Sequence, residues 1–246
     1  MKLEETDFIE AGSGEKVILV HSSVAGAKQW RSLMETLSND FHVIAINLFG
    51  YGDTRVWEDD GKQRLKDQAR LIEPFLPTGD DKISIVGHSF GGSVAMKAAA
   101  MFKTKVRRLA LIEPNTFYLL KKYGRSEAYQ EAVTLRDAIK SNGKAGRWEV
   151  AAEVFANYWT GAGSWDAMHH DRKSKFAQAL MPNFHEWDAV MNEPSLGGYF
   201  AKPAMLSAKT SPTHDGNACC GSPMVNARGS PPGSWTSSRA RKRGNA

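Results

Sequence analysis

"KISIVGHSFGGSVAMKAAA", Lys82–Ala100, is the stretch whose reading decides the fold. Lys82 to Ser89 is a short apolar, β-branched run of the kind that forms a buried strand. From Gly91 onward small residues run for the length of a helix. Between them lies Gly87-x-Ser89-x-Gly91. A strand that enters, a chain that turns sharply and a helix that leaves would hold Ser89 at the apex, with Gly87 and Gly91 letting the turn close without side-chain clashes. The pattern alone also fits an ordinary Gly-rich turn; the strand before it and the helix after it favour the elbow. A serine hydroxyl at its free pKa is a weak nucleophile and needs a base, an orienting acid and a site for an oxyanion. The helix N-terminus points free N–H groups at the apex, which makes the Phe90 N–H a candidate oxyanion donor.

Working outward, strand-like and helix-like segments alternate over residues 1–115. "KVILVHSS" (Lys16–Ser23) reads as a buried strand, followed by Trp30, Leu33, Met34 and Leu37 on one helical face. "FHVIAINLFGYGD" (Phe41–Asp53) reads as a second strand with a Gly-rich turn, residues 67–76 as a helix ended or kinked by Pro74, and "VRRLALIEPN" (Val106–Asn115) as a strand. The expected class is α/β, a mostly parallel sheet flanked by helices. Residues 116–195 carry helical stripes (Ala128, Ala132, Leu135, Ile139; then Trp148, Ala152, Phe155, Trp159; then Phe176, Ala179, Leu180) and no strand signal. They form a helical insertion. Residues 196–209, with "YFAKPAMLSAK", read as a return to the sheet, with Pro203 near the strand start. Residues 210–246 read as a disordered basic tail: from Ser207 the chain holds seven Ser, five Gly and four Pro but no Leu, Ile, Phe or Tyr, too little apolar surface to offset ordering entropy.

The elbow "GHSFGG", the strand and loop "VILVHSSVAGAKQW", the turn "NLFGYGDT" and the insertion after "LIEPN" together resemble the α/β-hydrolase fold family over most of residues 8–209. The resemblance implies a Ser nucleophile acting through an acyl-enzyme on a small ester, thioester, lactone or activated C–C bond beside a carbonyl. Because relatives with epoxide hydrolase or dehalogenase chemistry use a carboxylate at this position, Ser89 argues against those reactions. The insertion would be a cap over the site, whose Phe117, Tyr118, Trp148, Phe155 and Trp159 would line an acyl pocket or pack the cap on the sheet. The family's His-Gly loop here reads His21-Ser22-Ser23. That makes the Ser23 N–H the second oxyanion donor and His21 a structural residue, with Ser22 in place of the usual glycine. His88, beside Ser89, would pack or tune the site.

The family's chain order is Ser, then Asp or Glu, then His. Glu113 closes the strand "LALI" and is the candidate acid; the alternative is a strand-end carboxylate that caps backbone or pairs with a cation such as Arg107. The base has no clear candidate. Of the seven histidines (21, 42, 88, 169, 170, 185 and 214) none lies in a Gly-His turn after a final strand. The region after Lys209, where the family's last strand, helix and His would fall, is the Ser, Gly, Pro and Arg tail. The C-terminal strand and helix are therefore expected to be missing, leaving an enzyme that lacks its base, or a non-catalytic binding protein on the same fold. A change of reading frame near codon 207 would account for the abrupt loss of apolar residues, and it requires another frame of the same DNA to encode an apolar strand followed by Gly-His.

Bulk features narrow the remaining classes. Six of the 32 Lys and Arg but one of the 27 acids fall in residues 207–246, which leaves 26 of each in residues 1–206. The net charge of +5 thus belongs to the tail, and a nucleic-acid surface on the body is not expected; "RARKR" (Arg239–Arg243) alone argues for one. Adjacent Cys219 and Cys220 make neither a structural crosslink nor a metal site, so no metal and no cofactor are expected. No signal-peptide pattern or apolar run long enough to span a membrane occurs. A soluble, cytoplasmic protein with a small-molecule substrate is the expectation.

Overall fold

A computed structural model describes residues 6–58 and 61–193 and the backbone of 236–239. Six strands form one sheet: β1 (Asp7–Ala11), β2 (Lys16–Val20), β3 (His42–Ile46), β4 (Ile83–His88), β5 (Val106–Ile112) and β6 (Thr236–Arg239), in the order β5-β4-β2-β3-β1-β6. The four strands β5, β4, β2 and β3 run parallel, while β1 pairs antiparallel with β3 and β6 antiparallel with β1. The α/β class with a mostly parallel sheet is the one the sequence implies.

Period-2 alternation between two covered faces explains why Val17–Val20 of β2 and Val43–Ile46 of β3 are apolar at every position. In β2 and β3, Ile18, Val20, Ile44 and Ile46 face one side and pack with Ile83, Ile85 and the helix carrying Val94 and Ala98. Val17, Leu19, Val43 and Ala45 face the other side and pack against Trp30 and Met34. Both faces are covered, so no polar position is tolerated between them.

The covering helices are short on the N-terminal side. A 3-10 turn at Ala27–Trp30 leads into α1 (Arg31–Leu37), and α2 (Leu65–Ala69) passes into a 3-10 segment, Arg70–Phe75. The single helix expected over 67–76 is thus two pieces: Pro74 lies inside the 3-10 portion, where its missing N–H is compatible with the tighter turn. After β4 comes α3 (Phe90–Met101), after β5 come α4 (Phe117–Lys122), α5 (Ser126–Lys144), α6 (Trp148–Thr160), α7 (His170–Leu180) and α8 (Asn183–Met191). Residues 117–191 contain helices and no strand. On α5 the stripe is buried at Ala132, Leu135 and Ile139, whereas Ala128 is exposed. The expected return strand at 196–209 lies outside the described residues, as does the tail from 210 apart from the four-residue β6. Among the described residues no helix is long and apolar enough to cross a membrane.

Candidate active site

Strand β4 ends at His88, Ser89 caps α3 with φ 53° and ψ −118°, and the helix leaves at Phe90. The turn is built by close backbone approach. A Cβ on Gly87 would lie 2.7 Å from Ala95 Cβ, one on Gly91 would collide with the carbonyl oxygens of Val20 and His21, and one on Gly92 would lie 2.9 Å from Pro114 Cβ. Backbone closure follows: Ser89 N–H donates to Ile112 O (2.9 Å), while Gly92, Ser93 and Asn115 N–H donate to Ser89 O. The first N–H groups of α3, Phe90 and Gly91, have no intrahelical acceptor. Three non-glycine residues among those described have left-handed backbone: Val24 (φ 70°), Ser89 (φ 53°) and Glu113 (φ 46°). Such conformations cost about 1–3 kcal/mol each and cluster at functional sites.

All three lie at or beside one cavity of about 310 Å³. Its apolar wall comes from Phe117, Phe155, Trp159, Trp187 and Val190 of the helical segment, and its polar wall includes Ser23, Ser89, Glu113, Asn115, Asn183 and Glu186. Phe117 and Trp187 stack at 5.3 Å. Of the five aromatics singled out in the sequence, Phe117, Phe155 and Trp159 line this cavity; Trp148 packs near Gly143 beside a second one. Phe90, Ser22 and His88 complete the wall around Ser89.

The Ser89 hydroxyl donates to Asn115 Oδ1 at 3.2 Å. An amide oxygen orients that proton and cannot take it. His88 is fixed by a chain of donors. Ser22 N–H (3.0 Å) and Ser22 Oγ (2.7 Å) both donate to Gln29 Oε1, so the Gln29 amide must turn its Nε2 to His88 Nδ1 at 3.0 Å. The Nδ1 lone pair is thereby used and the neutral ring carries its proton on Nε2. His21 is fully buried; its Nδ1 lies 2.7 Å from Ser22 O, its Nε2 accepts from Leu48 N–H (3.1 Å), and its ring meets Tyr51 edge-on. Burial lowers its pKa to about 4, against a small opposing effect of the Ser22 carbonyl. It is a neutral structural residue.

The remaining histidines lie elsewhere. His42 Nε2 is 2.8 Å from Glu10 Oε2, His169 is exposed beside Asp171, and half-buried His185 lines the second cavity with its pKa lowered by burial and by Lys140. None of these, nor His170, lines the Ser89 cavity. His214 lies outside the described residues. Glu113 reaches the cavity wall, and Arg107, its suggested alternative partner, instead pairs with Glu15 at 2.8 Å. No group of His, Cys, Asp or Glu able to hold a metal occurs among the described residues; Cys219 and Cys220 are not among them.

Sequence reasoning missed Gly92, Gln29, Asn115 and a carboxyl cluster on α8. Glu186 is buried, with no ion pair among the described residues. Its Oε2 accepts from Ser23 Oγ and from Asn183 Nδ2 (2.8 Å), and its Oε1 accepts from the Tyr51 hydroxyl (2.9 Å). Burial raises its pKa, only partly opposed by these three donors. Asn115 had a visible signal, its place just past a strand end; Glu186, 163 positions from Ser23, had none.

A sequence model of the alpha/beta hydrolase fold matches residues 16–180. A 2-hydroxy-6-oxo-6-(2'-aminophenyl)hexa-2,4-dienoic acid hydrolase of Metapseudomonas resinovorans is 33% identical over 113 residues, 44% of this chain and 38% of that protein. A soluble epoxide hydrolase of a Corynebacterium species is 32% identical over 107 residues, 43% and 37% of the two chains. The matched stretch thus spans less than half the length of these curated relatives. Among solved structures, an alpha/beta hydrolase enzyme from a Medee basin deep-sea metagenome library superposes with a TM-score of 0.57 at 16% identity, over 75% of this chain and 67% of that one. A hydrolase of Pseudomonas aeruginosa superposes with a TM-score of 0.58 at 17% identity, over 75% and 68%. These two likenesses speak to the fold.

Proposed function

The chain belongs to the alpha/beta hydrolase fold family, and from that premise we propose that it is a hydrolase of small neutral carbonyl compounds, esters or lactones, with Ser89 as nucleophile. The observation that carries the reading is Ser89 itself, held at φ 53° between a strand and a helix N-terminus on the wall of a cavity. Attack of Ser89 Oγ on the carbonyl carbon would form an acyl-enzyme and release the alcohol, and water would then release the acid. The N–H groups of Phe90 and Ser23 would hold the developing oxyanion: the first has no intrahelical acceptor, and the second has none among the described residues. Preorganised donors of this kind are worth about 10²–10³ each in kcat. Glu113 is the proposed acid, and turnover requires a base that takes the Ser89 proton and passes it to the leaving alcohol. The segment 117–191 acts as a cap whose aromatic wall takes the acyl group.

The substrate class follows from charge. Glu113 and Glu186 line the cavity, and no Lys or Arg among the described residues does. A carboxylate-bearing substrate, such as the dienoic acid in one relative's name, would meet two acids and no cation there. Neutral nitrophenyl esters are accordingly expected to be hydrolysed at least about tenfold better than ester analogues ending in a carboxylate, one unfavourable charge contact being worth about 1.4 kcal/mol or more. Ser89→Ala should abolish turnover of both. Equal rates on the two ester classes would contradict the charge argument, and undiminished turnover by the variant would contradict the nucleophile.

One observation favours a second reading, a binding protein without turnover: the described partner of Ser89 Oγ is Asn115, which cannot act as a base. Saturable binding of a neutral ester that is recovered intact would support it.

A further inference from the structure

Ser23 lies between two residues whose N–H groups are engaged. Ser22 N–H donates to Gln29 Oε1 (3.0 Å) and Val24 N–H to the Tyr51 hydroxyl oxygen (3.0 Å). Both the Ser23 side chain and that tyrosine are held from α8 by one group, the Glu186 carboxyl: Ser23 Oγ–H donates to Oε2 and Tyr51 O–H donates to Oε1. Asn183 Nδ2 donates to the same Oε2 and also reaches Ser23 Oγ at 3.3 Å.

We propose that Glu186 is the positioning residue of the oxyanion site, fixing Ser23 and Val24 from the helical segment so that the Ser23 N–H faces the cavity. The inference rests on the reading of Ser89 as nucleophile and deepens it. Tyr51 has one hydroxyl proton; because that proton goes to Glu186, the oxygen's lone pairs are free to accept the Val24 N–H. That bond in turn holds Val24 at φ 70°, a conformation a β-branched residue avoids unless its surroundings impose it. On the other side, the Ser23 hydroxyl is tied to the second carboxyl oxygen. The Ser23 N–H lies in the peptide plane between Ser22 and Ser23: Gln29 holds that plane from the Ser22 side, and Glu186 holds it from the Ser23 side, directly through Ser23 Oγ and through Tyr51 at the next residue, Val24. Glu186 is 1% exposed, so water does not replace the grip when it is lost. An amide at position 186 keeps the shape but has one acceptor oxygen: its Nε2 either meets Asn183 Nδ2, donor against donor, or donates to the Tyr51 oxygen in competition with the Val24 N–H.

The test compares the full chain with Glu186→Gln, Ser23→Ala and the double variant, reading the rate of Ser89 labelling by a fluorophosphonate and the thermal midpoint. The probe's phosphoryl oxygen occupies the oxyanion position as fluoride is displaced. Each single variant is expected to label at least about tenfold more slowly, a fraction of what one oriented donor is worth. The double variant should lose no more than the slower single one, because both act through one tether. A purely structural role would lower the midpoint and leave the labelling rate of folded protein unchanged, which would overturn the proposal. Should Glu186→Gln fail to fold, Ser23→Ala and Tyr51→Phe carry the same comparison. If the wild-type chain is not labelled, the nucleophile reading fails instead. Amide hydrogen exchange then decides the positioning role: faster exchange across residues 22–24 in Ser23→Ala supports it, and unchanged exchange overturns it.

Discussion

The proton of Ser89 points at an atom that cannot accept it, and the histidine next to it has already spent its Nδ1 lone pair on Gln29. At the scale of single residues the site is therefore a serine held in place at a helix N-terminus, and the proposed nucleophile has no proton acceptor in hydrogen-bond contact among the described residues. His21 allows a test independent of catalysis. Its folded pKa of about 4 lies below the 6.5 of an unfolded histidine, so the unfolded chain binds the extra proton between those values. Stability from His21 is full above pH 6.5 and is lost as pH falls toward 4, by about 3 kcal/mol. Glu186 runs the other way, since its raised pKa favours the fold at low pH. Urea melts of wild type and His21→Gln between pH 4.5 and 7 should therefore differ in slope, the variant being flatter; parallel slopes would contradict the assignment. The residues legible in sequence here were those fixed by local chain geometry. Ser89, Gly87 and Gly91 sit in one short turn. Gln29 and Glu186 reach the site only through folding, and nothing within a few residues of either marks its role.

Among elements, the contact between α3 and the end of β2 sets how Ser89 and Ser23 face each other. Gly91 is the point of closest approach, where a Cβ would meet the carbonyl oxygens of Val20 and His21. Backbone cannot give way there without moving the Ser22–Ser23 loop. Gly91→Ala is expected to destabilise by about 1–3 kcal/mol, the usual cost of overpacking, and to reduce Ser89 reactivity more than an equally destabilising core change such as Ile85→Val. Thermal melts and labelling rates of the two variants check this; equal reactivity would contradict it. The four parallel strands were legible because β-branched runs bounded by turns read plainly, and α1 because Met34 and Leu37 keep helical spacing with Trp30; the antiparallel β1 and β6, both short, were not read from the sequence. The break between α2 and its 3-10 extension was legible only as an interruption at Pro74. The sequence marks where hydrogen bonding must change but not which tighter turn replaces it.

For the whole molecule, buried polar ties among the described residues join the end of the helical segment to the sheet and its flanking helices, and two of them are clear. One is the Glu186 cluster. The other is the ion pair of Lys97 on α3 with Glu193, 3.1 Å apart. Both side chains are largely buried, so taking the cation away in Lys97→Met is expected to cost about 3 kcal/mol, measured by urea unfolding; a change under about 0.5 kcal/mol would show the pair to be screened like a surface bridge. The α/β architecture and the site's place at the ends of parallel strands followed from the alternation of apolar runs and helical stripes. The ties did not, because charge partners on distant elements have no sequence spacing to read. All these features converge on Ser89, and its chemistry is tested most directly by locating a fluorophosphonate adduct on the full chain by peptide mapping. The expected result is one adduct per chain, on the peptide carrying Ser89 and absent in Ser89→Ala. A folded chain that stays unmodified, or carries an adduct that persists in Ser89→Ala, would contradict the assignment.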